Sequence, residues 1–141
     1  METSSTNRSS VSEDQQQQRR RQLALTAARV AVENRGRDVV VLDVRKLTPI
    51  FDYFVIATGT SRRQLHSMAD EIERVLSKEM GSERLGVEGY EGSRWILLDF
   101  GEVVVHLFDE EARKYYDLEN LWCDAQQVPF EPPPPPVPTA E

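Results

Sequence analysis

A glycine-led turn, a trio of acids and an aspartate–histidine pair are the places where this chain of 141 residues could hold reacting groups. Thr58-Gly59-Thr60-Ser61 runs into a helical pattern, and the free amides at a helix N-terminus attract phosphate. No lysine follows the glycine as a P-loop demands, and no Gly-x-Gly-x-x-Gly is present, so the turn reads as a structural cap. Metal-dependent nucleotidyl transfer needs two close carboxylates on a strand to hold magnesium. Asp70, Glu71 and Glu73 instead fall in a helical stretch, where neighbours such as Asp70 and Glu71 point in different directions. Asp99 and His106 look like part of a hydrolytic triad, but no elbow motif surrounds Ser93, the one serine that could be named as nucleophile. They read as a structural pair. His66 and His106 lie on different elements and Cys123 is the only cysteine, so no metal site and no intramolecular disulfide is expected. The residues imply no catalytic set, no metal and no cofactor.

Trp95, Tyr115, Tyr116 and Trp122 carry more weight. Aromatic anchors supply much of the energy of protein interfaces. Tyr116 fits a core position. Trp95 beside a Gly-rich loop, and Trp122 beyond the last helix, are harder to place inside so small a domain. Together they point to a binding surface on a small α/β domain.

The bulk numbers bound that reading. The length suits one domain with tails, able to bury one core without disulfide or metal support. A formal net charge of −7 weighs against a sequence-independent nucleic-acid binder, which needs a basic face to displace counterions. From Asp109 onward the acids are Asp109, Glu110, Glu111, Asp117, Glu119, Asp124, Glu131 and Glu141, opposed only by Arg113 and Lys114, so a partner there should be basic or apolar. No apolar run approaches the roughly 20 residues of a membrane span. The start of the chain lacks a signal-peptide core and carries Glu2, Glu13 and Asp14, which disfavours a transit peptide. A cytoplasmic protein is expected.

The elements that must position these side chains follow from periodicity. Residues 1–21 are Ser, Thr and Gln rich and read as a disordered tail, with Arg19-Arg20-Arg21 as a solvated lead-in or, alternatively, a phosphate contact. Leu23, Ala27, Val30 and Ala31 mark a first helix that stops at Gly36. Val39–Val44 and Phe54–Ala57 are strands covered on both faces. Ser61 and Gln64 form a capping box for a second helix whose inner face is Leu65, Met68, Ala69, Ile72, Val75 and Leu76, ending at Gly81. A short strand at Leu85–Val87 precedes the loop through Gly89 and Gly92. Ile96, Leu98 and Phe100 then alternate with Trp95, Leu97 and Asp99. A tight turn at Gly101-Glu102 would pair Phe100 with Val103 and Asp99 with Val104, placing His106 diagonal to Asp99 and within its reach. Asp109 caps a third helix with Ala112, Tyr115 and Tyr116 inward. The order α-β-β-α-β-β-β-α predicts a mixed sheet of about five strands flanked by helices. The domain is expected over residues 22–123, followed by an acidic, proline-rich tail over 124–141 that contains Pro132–Pro136.

Several of these motifs occur together in one known family. Asp52-Tyr-Phe-Val-Ile-Ala-Thr-Gly-Thr-Ser61, Gly86-Val-Glu-Gly89, Trp95-Ile-Leu-Leu-Asp99, Val105-His106 and Tyr116-x-Leu118-Glu119-x-Leu121-Trp122 resemble the ribosomal silencing factors, the Iojap-related proteins. The resemblance implies a nucleotidyltransferase-like fold without that fold's active-site carboxylates. It also implies a non-enzymatic role: binding the large ribosomal subunit through its ribosomal protein uL14, blocking association with the small subunit, and lowering translation when nutrients are scarce. Trp95, Asp99, His106, Tyr116, Leu118, Leu121 and Trp122 match the signature and are the expected partner-binding residues. An apolar patch of this kind could pair two copies into a homodimer in the absence of the ribosome. Sequence-specific contact with nucleic acid and contact with membrane are not expected. The rival is a degenerate nucleotidyltransferase-fold enzyme or nucleotide binder that still uses Gly59 to Ser61.

Overall fold

The computed structural model describes residues 2–90 and 94–130. Gly92, Ser93 and Pro132–Pro136 lie outside them. Eleven elements follow in order: α1 (Glu2–Glu33), β1 (Arg37–Asp43), β2 (Tyr53–Gly59), α2 (Arg62–Arg74) with a wider π turn over Val75–Glu79, β3 (Gly86–Glu88), β4 (Trp95–Asp99), β5 (Val103–Asp109), α3 (Glu110–Tyr116), α4 (Leu118–Leu121) and β6 (Gln126–Gln127). The strands form one mixed sheet of six in the order β3-β4-β5-β2-β1-β6. Its central pair, β2 and β5, runs parallel, and every other neighbour is antiparallel.

Helices α1 and α2 cover one face. Leu23, Ala24, Ala27, Ala28 and Ala31 of α1 and Leu65, Met68, Ala69 and Ile72 of α2 are buried in one cluster with Val41, Val55, Ala57, Ile96, Leu98, Val105 and Leu107 of the sheet. Small residues on α1 let the helix lie close to the strands, and their apolar burial is the main stabilising term of the fold. Gly36 ends the approach: a Cβ there would stand 2.7 Å from the Ala31 carbonyl oxygen. Ser61 caps α2 by accepting from the Gln64 amide at 3.1 Å. The returning bond of the box lands one residue early, since the Gln64 carbonyl oxygen accepts from the Thr60 amide.

The β4–β5 register is the one the two-residue turn requires, with Asp99 opposite Val104 and Trp95 opposite Phe108. The Phe100 amide donates to the Val103 carbonyl across Gly101, whose φ of 93° only glycine adopts without strain. Elements lie beyond the expected domain bounds of 22 and 123 at both ends. Helix α1 begins at Glu2, whereas a disordered tail was expected over 1–21, because neither glycine nor proline interrupts the chain before Gly36 and Gln and Arg are good helix formers. Arg20 also ties that helix down, reaching Asp52 at 3.1 Å and Glu102 at 3.5 Å, while Arg19 donates to the Met80 carbonyl. At the other end, the expected boundary at Cys123 falls short. Beyond it β6 pairs with β1, Val128 is buried, and Phe130 packs on the α1 side.

Replacing Gly36 by Ala should lower stability by about 1–3 kcal/mol, since the new methyl group meets rigid backbone. Urea denaturation of the variant beside the parent chain measures this.

Candidate partner-binding face

The other face of the sheet has a thinner cover. Leu42, Val44, Phe54, Ile56, Val104 and Phe108 point into it, and the layer above them is made by Ala112 of α3, Leu118 of α4, and the rings of Phe51, Trp95 and Trp122. Helix α3 has seven residues and α4 only four, so side chains rather than helix backbone close much of this layer.

Trp95, His106, Tyr116, Leu118 and Trp122 pack in or against it. Trp95 is half-buried at the head of β4, stacked on Phe108 with centroids 5.0 Å apart and against Tyr116 at 4.6 Å. Its indole N–H donates to His106 Nδ1 at 3.1 Å. That bond leaves the imidazole proton on Nε2, which has no partner among the described residues. His106 is 5% exposed, and burial pushes its imidazole from 6.5 down to about 4. Phe54 stands edge-to-face against it at 5.1 Å. Trp122 in turn meets Phe54 edge-to-face at 5.0 Å, and Leu118 packs into the same cluster. Leu121 is 72% exposed.

Asp99 does not join them. The expected diagonal reach to His106 fails because the Asp99 carboxylate accepts from the Gly101 amide at 2.8 Å, bracing the hairpin turn. The inner face expected for α3 also needs correction. Ala112 is buried, but Tyr115 is 81% and Tyr116 47% exposed. Together with Arg94, Trp95 and Glu111 they line an open hollow of about 480 Å³.

Two devices hold α3 and α4 over the strands. Asp109 accepts from the Ala112 amide at 2.8 Å, and Glu110 and Glu111 favour the positive end of the helix. Arg113 was not singled out by sequence, yet its guanidinium donates to Glu119, to the Thr58 hydroxyl and to the Asp38 carbonyl, each within 2.8 Å. One side chain thereby joins α3, α4, β1 and β2. Only an arginine on a short helix between two acid-rich turns hinted at it.

The groups weighed for catalysis are dispersed. Asp70 accepts from the Tyr90 hydroxyl, Glu71 pairs with Arg74 and Glu73 with Arg84. His66 stacks on Tyr90 and contacts its carbonyl oxygen. Among the described residues no group of three or more His, Cys, Asp or Glu could hold a metal ion. At Gly59 a Cβ would come 2.7 Å from a Leu65 methyl group, so close packing of α2 on β2 accounts for that glycine.

Comparison with known proteins bears on what such a face is for. The family model described as "Ribosomal silencing factor during starvation" matches residues 16–141. The chain belongs to the ribosomal silencing factor family. It is 39% identical to the ribosomal silencing factor of Halalkalibacterium halodurans over 110 residues, covering 78% of this chain and 93% of that one. It is 36% identical to the chloroplastic protein Iojap of Arabidopsis thaliana, of which it spans 45%. A crystal structure from Chromobacterium violaceum, 39% identical, superposes with a TM-score of 0.66 over 80% of this chain and 90% of that one. A silencing factor is a regulatory protein.

Stability should depend on pH through His106. The unfolded imidazole takes up a proton near 6.5, while the folded one refuses it until about 4. The fold therefore keeps this contribution above pH 6.5 and loses it as pH falls toward 4, by about 3 kcal/mol in all. Urea midpoints across that range should show the slope, and His106→Phe should remove most of it.

Proposed function

We propose that this chain binds the large ribosomal subunit through uL14, using the aromatic face just described, and blocks association with the small subunit. Translation would then fall under nutrient limitation. The observation that carries this reading is the cluster of exposed Tyr115 and Tyr116 against half-buried Trp95, on a sheet face that no long helix covers among the described residues. Glu111 lines the same hollow as that cluster, so a basic partner with apolar anchors suits it. Blocking needs no turnover, only an interface of about 1,200–2,000 Å² in total.

The same reading places the fold near the nucleotidyltransferases, with the carboxylates of α2 committed to Tyr90, Arg74 and Arg84. No described helix is long and apolar enough to cross a membrane, and the action proposed is cytoplasmic. Free of the subunit, the patch would pair two copies of the chain, with Tyr115 and Leu121 at the contact.

Sedimentation through sucrose gradients with separated subunits tests the proposal. The chain should travel with large subunits alone and reduce their joining to small ones. Trp95→Ala and Tyr115→Ala should each weaken that association at least tenfold, as loss of an interface anchor does. Tyr115 is exposed enough that its variant keeps the parent's melting temperature. Unchanged binding by both folded variants would remove the face from the interface.

A further inference from the structure

The charge of the chain is unevenly spent. Arg20, Arg45, Arg74, Arg84, Arg94 and Arg113 are engaged with carboxylates. Arg35, Arg62 and Arg63 are exposed, and none has an ion pair or side-chain hydrogen bond among the described residues. Arg35 lies between α1 and β1, and Arg62 and Arg63 open α2, whose first turn is bonded to that connection. Gln64 clasps the two segments, donating to the Asn34 and Arg35 carbonyls and accepting from Thr60. Arg35 holds a φ of 67° there. Beside it lies an open hollow of about 390 Å³ lined by Arg35, Arg37, Thr60 and Gln64, with no carboxylate in the lining. Arg37 pairs with Glu110 at 2.9 Å, but both side chains are well exposed, and such surface pairs exchange readily. Glu33 and Asp38 flank the hollow in sequence without lining it.

We propose that this arginine end is a second contact surface that binds RNA phosphates on the large subunit; it rests on the docking reading above. Planar guanidinium groups match phosphate oxygens two at a time, and unpaired ones lose no internal partner on binding. Basic ribosomal proteins would be repelled. The α2 N-terminus adds a favourable field for an anion. Position supports joint use with the aromatic face. Arg37 is opposite Thr58, Thr58 opposite Phe108, and Phe108 opposite Trp95, a single row across the sheet. Three strand spacings of about 4.8 Å put Arg37, which lines that hollow, roughly 14 Å from Trp95 along the sheet. On a chain of net charge −7, the basic end would also turn toward RNA first and orient the approach.

The test measures affinity of the full chain for purified large subunits across a KCl series. Arg35→Gln/Arg62→Gln/Arg63→Gln should bind about tenfold more weakly near 0.1 M salt, and its log–log salt slope should be shallower by about 2. Lys78→Gln, elsewhere on the surface, should leave both unchanged. Protein-free RNA from the subunit should bind the parent chain more tightly than the triple variant. A triple variant with the parent's slope and affinity overturns the proposal, as does equal binding of the bare RNA by both, which would assign the arginines to an acidic protein. If the parent chain itself fails to bind subunits, the docking reading falls and this contact with it. If Tyr115→Ala weakens binding while the triple variant does not, only the phosphate contact falls.

Discussion

Strands β2 and β5 lie side by side in the middle of the sheet, parallel, and buried along nearly their whole length. A parallel pair demands cover on both faces. The long helices α1 and α2 meet that demand on one side with an alanine-rich, closely seated layer. On the other side the chain has only two short helices and a set of rings to offer. That asymmetry governs the molecule: one face of the sheet is closely covered and the other leaves apolar rings partly open.

The polar groups within the ring layer serve position more than reaction. His106 sits among apolar neighbours, where a charged imidazole is disfavoured, so it remains a neutral acceptor that orients Trp95. Arg113 reaches across four elements, and Asp109 sets the first turn of α3. Each bond keeps the rings presented in one arrangement, which lowers the ordering cost of association. Among the described residues, no hydrogen bond in this layer joins a hydroxyl or thiol to His106.

Much of the scaffold was legible. A glycine-containing two-residue turn between alternating strands admits one register, and the pairing of Asp99 with Val104 follows from it. The capping serine of α2, the aspartate of α3 and the apolar stripe of α2 were equally readable, because each is a local rule. Long-range choices escaped. Asp99 had both His106 and its own turn within range, and the nearer backbone amide won. Tyr115 and Tyr116 look inward on a helical wheel, but α3 is short and rests on Ala112, which turns both rings out. The extra strand β6 is two polar residues long, too brief for any periodicity to announce.

By itself, then, the order of residues determined the central strands, α2, the hairpin register and the likeness to ribosomal silencing factors, since these depend on neighbours a few positions apart. Tertiary structure decided which aromatic rings reach solvent, which arginines are held by carboxylates, and that the segment carrying free Arg35 is bonded to the start of α2, where Arg62 and Arg63 stand. Net charge is a sum over the chain and carries no position. A surface is made by segments distant in sequence, and its character exists only once packing has set them side by side.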